Sequence, residues 1–111
     1  MFRNSKLKYK RTFYGWGRKK SGFKAIRLAS SSQNSNYILR EDGFIRSIGL
    51  GDCKSFSLVE DDIGIYYDAN KPSRLEYLLN SYDFSSDAKL LEKAKKALKL
   101  IRKYKISKYN N

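Results

Sequence analysis

The residues from Glu41 to Gly51 bring together two adjacent carboxylates (Glu41, Asp42), a guanidinium (Arg46), a hydroxyl (Ser47) and glycines at 43, 49 and 51. A carboxylate at the end of a strand, with a glycine beside it, can act as nucleophile or base at an electrophilic carbon. Asp42 is the first candidate for that role. Glu41, the second catalytic candidate, alternates with it along the chain and points to the opposite strand face, so one of the two orients or packs. Arg46, four residues beyond Asp42, either pairs with it or clamps an anionic substrate with two parallel hydrogen bonds, and its spacing leaves both open. Ser47, Gly49 and Gly51 read as an anion-cradling turn, although the Gly-x-Gly-x-x-Gly fingerprint is missing. Ser57, Asp61, Asp62, Tyr66, Tyr67 and Asp68 form a second polar group able to line the same cleft, with Asp61 and Asp62 reading first as turn residues. Trp16, between Gly15 and Gly17, offers a stacking face but fits burial better.

These side chains need elements to carry them. Thr12–Trp16 is rich in aromatic residues and predicts a short strand. Phe23, Ile26, Leu28 and Ala29 are near helical spacing and predict a helix over 21–32, and Tyr37-Ile38-Leu39 predicts a second strand. The resulting βαβ unit implies parallel strands and a right-handed crossover. Glu41 and Asp42 then fall at the carboxyl end of a strand, where α/β sheets bind ligands. Segments 56–59 and 63–67 read as two strands joined by an acidic turn. Ser73 and Glu76 have the spacing of a capping box, with Leu75, Leu78 and Leu79 on the buried side. A long amphipathic C-terminal helix starts from Ser86 or Asp87. Its stripe of Leu90, Ala94, Ala97, Ile101 and Tyr104 is expected to face the core, with lysines over the remainder.

The 111 residues suffice for one domain, read as a basic lead-in at 1–11 and a single α/β domain at 12–111. A hydrophobic fraction of 41%, with nine tyrosines and six phenylalanines, argues for a folded core. No apolar run reaches membrane-spanning length and no secretory pattern opens the chain, so the expected location is cytoplasmic. Cys53 stands alone and histidine is absent, which leaves no zinc set, and Cys53 reads as a spectator. The net charge of +13 is uneven: residues 1–40 hold eleven bases and no acid, 41–87 hold four against ten, and 88–111 hold nine against one. Basic flanks around an acidic middle fit an anionic partner approaching a centre that keeps its carboxylates. The same basicity, interleaved with aromatics, leaves a small nucleic-acid-binding protein as the alternative.

Four segments in order, YGWGRKKSG (14–22), EDGFIRSIGLG (41–51), SLVEDDIGIYYDANKPSRLE (57–76) and SKYN (107–110), resemble the capsular polysaccharide biosynthesis and export proteins of the KpsC type. The resemblance runs from about residue 12 to the end. It implies part of a retaining β-Kdo glycosyltransferase that moves the acidic sugar Kdo from CMP-Kdo to a lipid-linked acceptor. It also implies a partial Rossmann-like, GT-B-type acceptor-side domain with short parallel strands. Asp42 then becomes the candidate nucleophile, with Glu41, Arg46, Ser47 and Ser57 as neighbours. No resident cofactor is implied, only CMP-Kdo as donor. The implied partners are the lipid-linked acceptor and the capsule assembly machinery at the inner membrane, with a peripheral location there. Members of the family carry further sequence before the YGWG strand and a nucleotide-binding domain after SKYN. The expectation is therefore an incomplete module with little activity by itself.

Overall fold

Thr12, Phe13, Tyr14 and Trp16 suit a pleated surface, and residues 11–16 form β1 (Arg11–Trp16). The structure, a computed structural model, describes residues 10–46 and 57–108. Helix α1 (Lys20–Ser30) follows and returns the chain to β2 (Ser35–Asp42). The two strands are parallel, in register from Arg11 opposite Ser35 to Trp16 opposite Arg40. β3 (Leu58–Asp61) adds beside β2, giving the order β1-β2-β3 in a small mixed sheet. The chain is an α/β protein, as its sequence pattern predicts.

The chain divides into two compact units, one of residues up to Glu41 together with Val59–Asn80, the other of Asp42–Leu58 together with residues from Ser81 onward. In the first, Ile38, Leu39 and Ile65 are fully buried. Two successive buried residues in β2 mean that this central strand is covered on both faces. Each such side chain contributes about 1.5–3 kcal/mol of burial. α1 packs on β1 through Gly22, Ala25 and Ala29, while Phe23, predicted on its apolar face, is exposed. Small side chains let the helix axis approach closely, and that decides which face turns inward. Across one side of the sheet, the Arg40 guanidinium stacks 4.3 Å from the Tyr14 ring centroid while its Nε donates to Glu60 Oε2 at 2.9 Å. One cation thereby ties all three strands together.

Residues 63–67, predicted as a strand, are irregular. The cause is Asp61, whose Oδ1 accepts the amides of Ile63 at 2.9 Å and Gly64 at 2.8 Å and so curls the chain where a ladder would need it straight. α2 (Arg74–Ser81) begins after Ser73, whose Oγ accepts the Glu76 amide at 3.1 Å, as the capping spacing predicts. Its leucines do not form a buried side: Leu75 and Leu79 are exposed and no α2 residue is buried.

In the second unit a 3-10 turn (Phe84–Ser86) leads into α3 (Ala88–Tyr104), and the two elements are in contact. Asp87 caps α3 by accepting the Leu90 amide at 3.1 Å, and also accepts the Tyr82 hydroxyl. That hydroxyl, followed by the amide, holds the Asp87 carboxyl below its ordinary range, and Asp87 in turn raises Tyr82. The helix ends at Lys105 in the left-handed conformation, φ 51°. The α3 stripe differs from its predicted core-facing role. No α3 residue is buried, and Leu91, Leu98 and Tyr104 are exposed. No helix among the described residues is long and apolar enough to cross a membrane.

Candidate active site

The end of β2 carries Asp42, whose Oδ2 accepts from Arg46 Nε at 3.0 Å. Arg46, as its four-residue spacing allows, pairs with Asp42. Both side chains are less than a quarter exposed, so the pair is partly shielded without being cut off from solvent. The hairpin-like approach behind it depends on glycine. The Gly43 amide donates to the Ser57 carbonyl at 3.0 Å, and a Cβ at position 43 would lie 2.3 Å from Ser57 Oγ. Ser57 Oγ donates to the Ile45 carbonyl at 2.8 Å, and the Arg46 amide donates to the Lys108 carbonyl at 2.6 Å. Asp42, Arg46 and Ser57 thus belong to one hydrogen-bonded assembly that fixes the carboxylate's orientation. Ser47, Gly49, Gly51 and Cys53 lie outside the described residues.

Glu41 takes part in a different network, within the first unit. Its Oε2 accepts from the Tyr67 hydroxyl at 3.0 Å, and that same hydroxyl oxygen accepts the Arg18 amide at 2.9 Å. Arg18 Nε donates to Asp68 Oδ2 at 2.8 Å. The Asn70 amide and then Arg18 hold the Asp68 carboxyl below its ordinary range, whereas burial, followed by Glu41, raises the Tyr67 phenol. Gly17 makes the arrangement possible. Its φ is +42°, and a Cβ there would sit 2.2 Å from Glu41 Oε2 and 2.5 Å from the Tyr67 oxygen. Arg18, Phe23, Tyr67, Asp68 and Lys71 line an open cavity of about 620 Å³ beside this network.

Asp61 and Asp62 serve the scaffold. Asp61 is 1% exposed and accepts four backbone amides, those of Ile63, Gly64, Arg74 and Leu75, so it caps α2 from the strand side. Asp62 takes a two-pronged contact from Arg74, which raises that guanidinium's already high pKa. Ser57, Tyr67 and Asp68 from the second polar group are in the two networks above. Trp16 is half-buried and its amide donates to Ser21 Oγ at 2.8 Å.

Residues 12–111 match the family model described as capsule polysaccharide biosynthesis protein. The chain belongs to that family. Among its capsule-family relatives, the capsule polysaccharide modification protein LipA of Neisseria meningitidis serogroup A is 42% identical over 99 residues, covering 87% of this chain and 14% of LipA. The lipopolysaccharide-processing protein LpsZ of Rhizobium meliloti is 42% identical over 72 residues, 63% of this chain and 16% of LpsZ. The chain therefore spans about one-seventh of the relatives it matches. Of solved structures, the KpsC β Kdo 2,4 transferase of Thermosulfurimonas dismutans superposes with a TM-score of 0.75 at 46% identity, over 88% of this chain and 30% of that one. The β Kdo 2,7 transferase from the same organism gives 0.59 at 39% identity, over 84% and 29%. The KpsC-type resemblance carried by the four motifs is thus established.

Arg18 is the residue that reading the sequence left out. It sits inside the YGWGRKKSG motif, immediately after the positive-φ Gly17, and a cation following a forced turn was the available signal. Its partner Asp68 is 50 residues away, beyond what spacing can show.

Proposed function

We propose that this chain is the acceptor-side part of a retaining β-Kdo transferase of capsule biosynthesis, a partial Rossmann-like domain of GT-B type comprising residues 12–111. The observation that carries it is the 46% identity to a KpsC β Kdo 2,4 transferase together with the oriented Asp42 carboxylate in the EDGF segment. The substrates in this reading are CMP-Kdo and a lipid-linked sugar acceptor at the inner face of a membrane. An Asp42 carboxylate oxygen attacks the anomeric carbon of Kdo and CMP leaves with the bonding pair. The acceptor hydroxyl then attacks the same carbon from the vacated face, gives up its proton, and releases Asp42. Two inversions retain the configuration, the logic of retaining glycosidases with a sugar hydroxyl in place of water. Arg46 holds Asp42 in position, as do Gly43 and Ser57 through the backbone, and Ser47, Gly49 and Gly51 contact the anionic sugar. Glu41 acts as a positioning residue through Tyr67. The basic surroundings favour a donor, sugar and acceptor that are all anionic.

The experiment is a chimera in which residues 12–111 replace the matching segment of the Thermosulfurimonas enzyme. The chimera is expected to transfer Kdo from CMP-Kdo to a glycolipid acceptor with the β configuration retained, read by NMR of the product. A chimera that folds, binds CMP-Kdo and transfers nothing overturns the proposal.

A further inference from the structure

Helix α3 presents apolar and basic side chains in an order that matters. At 3.6 residues per turn, Tyr104, Ala97, Leu90, Ile101, Ala94, Leu98 and Leu91 occupy an arc of about 140°. Arg102 and Lys95 border the arc beyond Leu91, and Lys93 borders it beyond Tyr104. Residues 88–105 hold eight lysines and arginines against Glu92 as the one acid. The 3-10 turn at Phe84–Ser86 contacts the helix, and Leu90 and Ile101 are half-buried. Leu91, Leu98 and Tyr104 stay exposed at 40%, 50% and 62%. Among the described residues Lys96 alone of these bases has an acidic partner, Glu92, at 3.8 Å between highly exposed side chains.

We infer that α3 lies on an anionic phospholipid surface, with Leu91, Leu98 and Tyr104 at the acyl boundary and Lys93, Lys95 and Arg102 reaching headgroup phosphates. The charge is complementary to such a surface: Lys93, Lys95 and Arg102 border the apolar arc on both sides, while Lys89, Lys96, Lys99 and Lys103 cover the opposite face. That order lets long aliphatic stems lie along the apolar stripe while the charged tips stay at headgroup level. A nucleic acid would engage the cations and leave the leucines in water. A protein partner covering the stripe would set Lys93, Lys95 and Arg102 in its polar rim, and absence of vesicle binding in the test below would favour it over lipid. The inference deepens the proposed function by naming the element that meets the lipid phase. Its test contains no sugar and so stands apart from transfer.

The purified 111-residue chain is centrifuged with vesicles of equimolar phosphatidylcholine and phosphatidylglycerol, and with vesicles of phosphatidylcholine alone. Binding is expected to the anionic vesicles only. The pair Leu91→Asn with Leu98→Asn and the pair Lys95→Glu with Arg102→Glu are each expected to weaken partitioning about tenfold or more. Lys19→Glu with Lys24→Glu, the same charge change on exposed residues outside α3, is expected to leave most of the binding. All these positions are exposed, and circular dichroism checks that each variant keeps the wild-type helix content. Absence of binding overturns the inference, as does equal binding to neutral vesicles. A leucine pair that binds like the wild type also overturns it, because the attraction would then be general basic adhesion of the kind shared with nucleic acid. A control pair as weak as the α3 charge pair would place the contact elsewhere.

Discussion

The Tyr67 hydroxyl donates to Glu41 Oε2 at 3.0 Å and accepts the Arg18 amide at 2.9 Å, so one phenol oxygen joins the end of β2 to the turn that follows β1. Neither partner lies within twenty residues of Tyr67 in the chain. The contact converts two local features, a glycine turn and a strand end, into one fixed constellation.

Gly17 is the most sensitive point of that constellation. Gly17→Ala must adopt φ +42° and place a methyl 2.2 Å from a carboxylate oxygen. Backbone strain alone is worth about 1–3 kcal/mol. We expect a clear loss of stability in urea unfolding and loss of Kdo transfer in the chimera. Wild-type behaviour in both would mean that the turn is not constrained as described.

Asp61 anchors α2 to β3. Removing its carboxylate in Asp61→Ala leaves four backbone amides without their acceptor in a site that water barely reaches. The expected cost is about 3 kcal/mol or more. Asp62→Ala breaks a partly exposed ion pair with Arg74 and is expected to cost about 1 kcal/mol or less. Equal effects in chemical denaturation would contradict the distinction.

The fold is expected to weaken at both ends of the pH scale. Asp68 has a lowered pKa in the folded state, so its contribution is fully present above the ordinary Asp value near 3.9 and is lost as pH falls through the folded value. Asp83, held down by the Ser85 and Ser86 hydroxyls, and Asp87 act in the same direction. Tyr67 has a raised pKa, so its contribution is present below about pH 10 and is lost as pH rises through the folded value, when a phenolate would face Glu41. Unfolding midpoints across pH should show Asp68→Asn flattening part of the acid limb and Tyr67→Phe the alkaline limb. Unchanged limbs would show that these networks contribute nothing.

Lys105 closes α3 in a left-handed conformation that costs a side-chain-bearing residue about 1 kcal/mol relative to glycine. Lys105→Gly is expected to raise stability by roughly half of that, the rest being offset by the freedom glycine gains when unfolded. A destabilised variant would indicate that the lysine side chain, and not the backbone, holds the helix end.

The elements legible in the sequence were those specified by local chemistry. β1, α1 and β2 follow from side-chain periodicity and glycine punctuation, and the caps at Ser73 and Asp87 follow from hydroxyl and carboxylate groups placed just before a helix. The region 63–67 was not legible because its apolar residues mimic a strand, while the deciding interaction is Asp61 taking the amides of Ile63 and Gly64. The leucines of α2 and α3 show the opposite limit: period predicts which residues share a face but carries no information on what covers it. At the site, Asp42 with Arg46 was readable from a four-residue spacing, whereas Arg18 with Asp68 and Tyr67 with Glu41 were not, since both depend on segments brought together only by folding.

The central claim is that Asp42 forms a covalent bond to Kdo. The direct measurement is intact-protein and peptide mass spectrometry of the chimera after incubation with CMP-Kdo in the absence of acceptor. The account predicts one Kdo attached to the peptide at Asp42, discharged on adding acceptor, and no adduct or transfer in Asp42→Asn. Undiminished transfer by Asp42→Asn, or a Kdo ester on another residue, would contradict it.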